Sequence, residues 1–188
     1  MEWSIAAFHA AETVGEVIVA LPPGESLEEG GAIAVEGGST RSESVARALE
    51  RTESEVVVVH DAARPLVTPE LIDAIVTELF EREDLAGLIA AAPLTDTIKE
   101  AGEGDVVERT LDRARLWAAQ TPQAFRAGAL RDAYEKGDLT AATDDAMLVE
   151  QAGGKIALHE APRENFKVTT ALDLRIAEHL LTGRLPGQ

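Results

Sequence analysis

The residues best placed for chemistry follow a run of four valines. Val56–Val59 is too short for a helix, and a continuous β-branched run is typical of a central strand buried on both faces of a parallel sheet. Asp61 and Arg64 come directly after this run. Because ligands bind beyond the carboxyl ends of the strands in open α/β sheets, Asp61 is a candidate Mg²⁺ ligand and Arg64 a candidate phosphate ligand. A capping aspartate and a surface arginine are the structural alternative.

A second candidate is the glycine pair Gly37–Gly38, which precedes Arg41 and Ser44 at the start of a predicted helix. Glycines let the backbone approach a ligand closely, and a helix N-terminus offers unpaired N–H groups. Arg41 and Ser44 are three residues apart and therefore share a face of the first turn. A nucleotide-binding loop would have this pattern. A loop whose Ser39 or Ser42 only caps the helix is the alternative.

Composition narrows the class of protein. The sequence has 188 residues, a net charge of −17 and no cysteine. It therefore contains no disulfide, thiolate nucleophile or zinc–thiolate site, and its charge argues against a nucleic-acid-binding surface. No apolar run approaches the roughly 20 residues of a membrane span. We expect a single cytoplasmic domain, residues 1–188, with no nucleic-acid or membrane partner. An anionic substrate would need Arg, Lys and Mg²⁺ in the site to counter the overall charge.

These candidates are positioned by strands and helices that alternate along the chain, which predicts an α/β three-layer sandwich with a mostly parallel sheet. The predicted strands are Val17–Leu21, Ala32–Val35, Val56–His60, Gly87–Ala92 and Ile156–His159. The predicted helices are a short one near the start and others ending near Arg51, Arg82, Lys136, Gln151 and Leu181.

One segment breaks this alternation. Thr95–Glu100 and Val106–Thr110 are polar and alternating, and they flank Gly102 and Gly104, which predicts a β-hairpin. An isolated hairpin is only marginally stable in water. We therefore expect this arm to pack on a second subunit, with an exposed flap as the alternative.

Six segments, taken in order, resemble the 2-C-methyl-D-erythritol 4-phosphate cytidylyltransferases of the non-mevalonate isoprenoid pathway. They read GGSTRSESV, VVVHDAARP, APLTDTIK, TLDRARLWAAQTPQAF, TDDA and NFKVT. The resemblance implies a Rossmann-like nucleotidyltransferase sheet with a protruding β-arm, residues 94–113, that exchanges across a homodimer. It also implies Mg²⁺-dependent transfer of a cytidylyl group from CTP to the sugar phosphate, with release of pyrophosphate.

The resemblance implies roles on the nucleotide side of the site. Asp61 would ligate Mg²⁺, and Ala62 would line the nucleotide site. The residues implied to hold the cytosine and ribose of CTP are Gly38, Ser39, Arg41 and Ser44. Ser39 stands where the family often has an acid.

Other residues are implied to act on the sugar phosphate. Thr97 and Arg113 would reach the sugar phosphate of the neighbouring subunit from the arm. Arg113 and Lys167 are the implied catalytic residues, which position the substrate. The residues implied to surround the sugar phosphate within one subunit are Arg64, Thr121, Thr143 and Lys167.

The chain departs from the family pattern at its start. Family members open with a first strand and a glycine-rich loop, LAAG followed by an Arg and a Lys, whereas Met1–Ser4 aligns with the helix after that loop. We therefore expect an N-terminally truncated chain with an apolar slot beside its strands. Two alternatives stay open: a pentitol-phosphate cytidylyltransferase, and a catalytically dead remnant that dimerises or binds the sugar phosphate.

Overall fold

The computed structural model describes residues 1–27, 31–139 and 142–183. In this part of the chain the helices are α1 (Glu2–Ala10), α2 (Arg41–Leu49), α3 (Pro69–Glu81), α4 (Ala127–Lys136), α5 (Asp145–Gln151) and α6 (Ala171–Thr182). The strands are β1 (Ile18–Leu21), β2 (Ile33–Glu36), β3 (Val56–Val59), β4 (Gly87–Pro93), β5 (Lys99–Ala101), β6 (Val107–Thr110), β7 (Trp117–Arg126) and β8 (Ile156–Glu160).

The main sheet has the strand order β3-β7-β4-β8. β4 pairs in parallel with β8, whereas β7 runs antiparallel to both β3 and β4. β3, β4 and β8 therefore share one direction and β7 opposes them, which makes the sheet mixed. β1 and β2 form a separate parallel pair.

Helices cover both faces of the main sheet, which confirms the predicted α/β sandwich. On one face, Ile75 of α3 packs in a buried cluster with Leu88 of β4. On the other face, Leu130 of α4 and Leu148 of α5 pack in a cluster with Phe125 of β7. Because neighbouring residues of a strand point to opposite faces, both clusters draw on the same strands.

The prediction of a central strand buried on both faces at Val56–Val59 was wrong in its detail. The four valines of β3 are only half-buried, and β3 lies at the edge of the main sheet. Within the described residues its only strand partner is β7. β3 also lines an apolar cavity of about 580 Å³, which β1 lines as well. The predicted apolar slot is therefore present beside β3. A strand of four valines usually has a strand neighbour on each side, and among the described residues β3 has one.

Side chains cap the starts of α3 and α5. The Thr68 hydroxyl accepts a hydrogen bond from the backbone N–H of Leu71 at 3.4 Å, and Pro69 occupies the first turn of α3. Asp144 accepts a hydrogen bond from the backbone N–H of Met147 at 2.9 Å and so caps α5. These caps satisfy N–H groups that have no partner inside the helix.

The predicted hairpin is also confirmed. β5 and β6 pair antiparallel and form the arm, with Gly104 at φ +71° in the connection, a backbone conformation that glycine adopts without strain. The arm leaves the sheet after Pro93 and returns to it at Trp117, where β7 begins. Among the helices of the described ranges, none combines the length and hydropathy that crossing a membrane requires.

Candidate active site

Asp61 is the centre of the site because two cations from distant parts of the chain converge on it. It follows β3 by two residues, and its side chain is 15% exposed. One carboxylate oxygen accepts a hydrogen bond from Arg41 Nε at 3.0 Å, and the other accepts one from Lys167 Nζ at 2.9 Å. Burial favours the protonated carboxyl, but the hydrogen bonds from Lys167 and Arg41 outweigh it and lower the pKa of Asp61.

Arg41 stands at the first turn of α2 and bridges two carboxylates. Its Nη2 donates to Asp145 at 2.7 Å, while its Nε donates to Asp61. Asp145 is fully buried, and its second oxygen accepts a hydrogen bond from the Tyr134 hydroxyl. Burial opposes the charged guanidinium, but the attraction of Asp145 and Asp61 raises the pKa of Arg41. A continuous hydrogen-bonded series therefore runs from Tyr134 through Asp145, Arg41 and Asp61 to Lys167.

Thr121 holds the backbone of Asp61 and the side chain of His60 in place. Its hydroxyl accepts a hydrogen bond from the backbone N–H of Asp61 at 3.0 Å and donates one to His60 Nδ1 at 3.0 Å. A carbonyl oxygen can only accept, so His60 Nε2 carries the proton that it donates to the backbone oxygen of Arg64 at 3.1 Å. Burial lowers the pKa of His60 to about 4. The His60 ring also packs against Phe8, with ring centroids 5.3 Å apart.

Arg64 lies below the surface of the site, 9% exposed. Its Nη1 donates to the backbone oxygen of Asn165 at 2.9 Å, and Asn165 in turn donates to the backbone oxygen of Thr121 at 2.8 Å. The buried Nε of Arg64 has no hydrogen-bond partner among the described residues. Arg64 therefore ties the loop after β3 to the loop before α6 while one of its N–H groups stays unpaired.

The glycine loop lies against the start of α2. The backbone N–H of Gly38 donates to the Ser44 hydroxyl at 3.0 Å, and the backbone N–H of Ser39 donates to the Glu43 carboxylate at 2.7 Å. A Cβ atom on Gly38 would lie 2.1 Å from the Cβ of Glu43, so this position requires glycine for close packing. The hydroxyl and backbone N–H of Ser39 lower the pKa of Glu43. The cavity lined by β1 and β3 is also lined by Arg41, Ser44, Asp61 and Ala62. Gly38 contacts this group through its hydrogen bond to Ser44.

The arm residues lie apart from this group. Arg113 is exposed and donates to the backbone oxygen of Thr95, and Thr97 is also exposed. Arg163 donates to the Thr95 hydroxyl at 2.9 Å and to the backbone oxygen of Pro93 at 3.1 Å, which ties the root of the arm to the loop before α6. Among the described contacts, none joins the arm residues to Asp61.

The structure therefore brings together part of the predicted set. Arg41, Asp61, Thr121 and Lys167 form one connected group. Thr143 is exposed and contacts Met147, with the hydroxyl 3.6 Å from the Met147 sulfur. The described residues contain no cluster of three His, Cys, Asp or Glu side chains that could hold a metal ion. Asp61, the predicted Mg²⁺ ligand, belongs to no such cluster in the described part of the chain.

Sequence reasoning missed Asp145 and Tyr134 as partners of Arg41. Asp145 directly follows Asp144, the capping residue of α5. Its spacing was a usable signal, because Leu148 and Val149 lie three and four residues on and share its helix face. Both are buried, as is Asp145 itself. A carboxylate on a buried helix face needs a charged partner, and the structure identifies that partner as Arg41, 104 residues away in the sequence.

Comparison with known proteins gives a consistent result. A family model described as 2-C-methyl-D-erythritol 4-phosphate cytidylyltransferase matches residues 1–183. The protein of that name from Alkaliphilus metalliredigens is 38% identical over an alignment that covers 98% of this chain and 82% of that protein. The one from Trichodesmium erythraeum is 43% identical over 151 residues, which cover 78% of this chain and 66% of that protein, just under two thirds of its length. The crystal structure of the enzyme from Thermus thermophilus superposes with a TM-score of 0.85 at 38% identity, covering 96% of this chain and 88% of that one.

Proposed function

Because the chain belongs to the 2-C-methyl-D-erythritol 4-phosphate cytidylyltransferase family, we propose that it transfers a cytidylyl group from CTP to 2-C-methyl-D-erythritol 4-phosphate. The products would be 4-diphosphocytidyl-2-C-methyl-D-erythritol and pyrophosphate. The observation that carries the proposal is the convergence of Arg41 and Lys167 on Asp61 beyond the end of β3. In an α/β sheet this is the region where ligands bind.

The proposed reaction is an in-line displacement at phosphorus. A phosphate oxygen of the sugar phosphate attacks the α-phosphorus of CTP and forms the new P–O bond. The bond from the α-phosphorus to the bridging oxygen breaks, and pyrophosphate leaves with the electron pair. No protein nucleophile takes part, so the protein contributes positioning and charge stabilisation. Arg41 and Lys167 are the cations whose described contacts place them beside Asp61.

Binding roles follow from where the residues lie. We propose that the cytosine and ribose of CTP are bound by Gly38, Ser39, Arg41 and Ser44. Ala62 lines the same cavity between β1 and β3. Arg64 is assigned to the phosphate from its place in the loop after β3, where ligands bind in α/β sheets. The residues assigned to the sugar phosphate are Arg64, Thr121, Thr143 and Lys167 from one subunit, with Thr97 and Arg113 from the arm of its partner.

A divalent cation fits the donor chemistry of the site. Mg²⁺ is commonly bound through one or two carboxylates together with substrate phosphates, and Asp61 offers one carboxylate next to the proposed phosphate site. Bound there, Mg²⁺ would neutralise phosphate charge. It would also compete with Arg41 and Lys167 for Asp61. We further propose a homodimer formed through the arm, working in the cytoplasm, where CTP is available.

The arm supports the homodimer proposal through its surface. Val106 is 66% exposed and Val107 is 54% exposed, although both are apolar. The 3₁₀ turn Arg113–Arg115 and the start of β7 continue the same segment back to the sheet. An arm with exposed apolar residues gains stability by packing on another surface. The comparisons do not favour the two alternatives, a pentitol-phosphate enzyme and an inactive remnant.

The test is pyrophosphate release by the purified protein with CTP, 2-C-methyl-D-erythritol 4-phosphate and Mg²⁺. We expect release that depends on all three components, and little release when a pentitol phosphate replaces the methylerythritol phosphate. Calorimetry with CTP and with the sugar phosphate, each alone, accompanies the assay. Binding of the sugar phosphate without CTP binding or turnover would contradict the proposal and favour the remnant.

A further inference from the structure

Asp145 is a buried charge that the proposed reaction does not use. It lies in the first turn of α5, is 0% exposed, and contacts Arg41 and Tyr134. Removing a carboxylate from water is costly, and pairing it with a cation often does no more than recover that cost. A buried pair of this kind is therefore weak evidence for a stabilising role. Its defined geometry is better explained by a need to hold the arginine in one place.

The two carboxylates hold Arg41 unequally. The side chain of Asp145 is 1% exposed, whereas that of Asp61 is 15% exposed and also accepts from Lys167. The guanidinium is planar with its donors in a fixed fork, so contacts through Nη2 and Nε define its rotation as well as its position. A ligand that draws Asp61 away leaves the Asp145 contact in place. Asp145 is thus the fixed side of the arrangement.

Tyr134 completes the anchor from α4. Its hydroxyl donates to the carboxylate oxygen of Asp145 that does not contact Arg41. Burial and the charge of Asp145 raise the pKa of Tyr134, so the hydroxyl stays protonated and acts as a donor. Both oxygens of Asp145 are therefore engaged, and the carboxylate cannot rotate without losing one contact.

We propose that Asp145 and Tyr134 form a positioning pair that holds Arg41 in the orientation in which it binds the nucleotide. This inference rests on the proposed function for its ligand, CTP, and it adds two residues that do not touch the substrate. The pair joins α4 and α5 to the first turn of α2. The helix packing behind the site therefore sets the angle of the arginine within it.

The first test is steady-state kinetics of Asp145→Asn, which keeps the shape and removes the charge. Losing a charge-assisted hydrogen bond to Arg41 should raise KM for CTP about 10- to 100-fold, with a smaller change in kcat. Tyr134→Phe removes one neutral donor and should raise KM about 2- to 10-fold. The matched control is Asp132→Asn, which removes an exposed carboxylate of α4 paired with Lys136 and should leave KM unchanged.

The second test observes Arg41 directly and does not depend on activity. In nitrogen-15-labelled protein, the Nε–Hε signal of Arg41 should show a high heteronuclear NOE in the wild type and in Asp132→Asn. It should show a reduced NOE in Asp145→Asn and in Tyr134→Phe, which also covers the case in which Asp145→Asn does not fold. An unchanged Arg41 signal in the variants that fold would overturn the inference. A wild type without turnover whose Arg41 loosens in the variants would overturn the proposed function and keep the positioning pair.

Discussion

Replacing Lys167 with alanine should reduce turnover far more than stability. Lys167 makes an ion pair of 2.9 Å with Asp61, but its own side chain is 44% exposed. Ion pairs this close to solvent contribute roughly 0–1 kcal/mol to folding. After the substitution, Asp61 still accepts the hydrogen bond from Arg41. For a chain of this size we therefore expect Tm to fall by no more than roughly 2–4 °C.

The expected loss of activity is much larger. A cation that stabilises charge developing in the transition state contributes about 10²–10³ in rate. That factor corresponds to about 2.7–4 kcal/mol of transition-state stabilisation, several times the folding contribution. The two effects can be separated because one is read from a melting curve and the other from pyrophosphate release.

Lys155 provides a matched control for this measurement. It forms a surface ion pair with Asp84 at 3.5 Å, with side chains 72% and 64% exposed. Lys155→Ala should therefore resemble Lys167→Ala in melting temperature but keep its turnover. If Lys167→Ala retained turnover within about threefold of the wild type, Lys167 would have no catalytic role. If its Tm fell by more than roughly 10 °C, the lysine would have a structural role that the ion pair does not explain.

Three further variants test other parts of the structure. Arg113→Ala should lower turnover by roughly 10²–10³ while the neighbouring arm variant Arg109→Ala stays near the wild type in the same assay; equal activities would remove Arg113 from the site. Burial lowers the pKa of His60 from 6.5 to about 4. Between these two values the unfolded chain binds a proton at His60 that the folded chain does not, so the free energy of unfolding should fall by about 2 kcal/mol from pH 7 to pH 5. Denaturant unfolding of His60→Gln should show a correspondingly weaker pH dependence, and an unchanged dependence would contradict the buried neutral imidazole. Asp73 accepts hydrogen bonds from the backbone N–H groups of Glu12 and Thr13. Asp73→Ala should therefore lower the free energy of unfolding by about 1 kcal/mol without loss of turnover, and an unaltered Tm would contradict that role.

Local signals in the sequence predicted most of the elements because their causes are local. Thr68 and Pro69 start α3 through a side-chain cap and a fixed φ angle, and both features are visible in the sequence. The hairpin of β5 and β6 followed from alternation around glycines. β7 was missed because Pro122 lies inside it, and proline lacks the N–H that a sheet ladder uses.

Pairing between strands distant in sequence could not be predicted from local pattern. The valines of β3 suit a strand with neighbours on both sides, yet in the described part of the chain they pair with β7 alone. The same limit applies to the site. Asp61 and Lys167 are 106 residues apart, so their contact depends on how the loop before α6 packs. The position of Asp61 after the valine run made it a candidate, and the resemblance to a family supplied Lys167. The buried partner Asp145 needed the three-dimensional arrangement of α4 and α5.

The course of β7 has a consequence for how the arm and the site can influence each other. This strand begins at the root of the arm with Trp117, carries Thr121 beneath Asp61, and then pairs with β3. At a rise of about 3.3 Å per residue, Trp117 and Thr121 lie about 13 Å apart along one strand. If a second copy of the chain binds the arm, it holds the same strand that supports the backbone of Asp61. Any coupling free energy between dimerisation through the arm and ligand binding at the site is reciprocal. A ligand that binds more tightly to the dimer than to the monomer therefore strengthens dimerisation by the same factor.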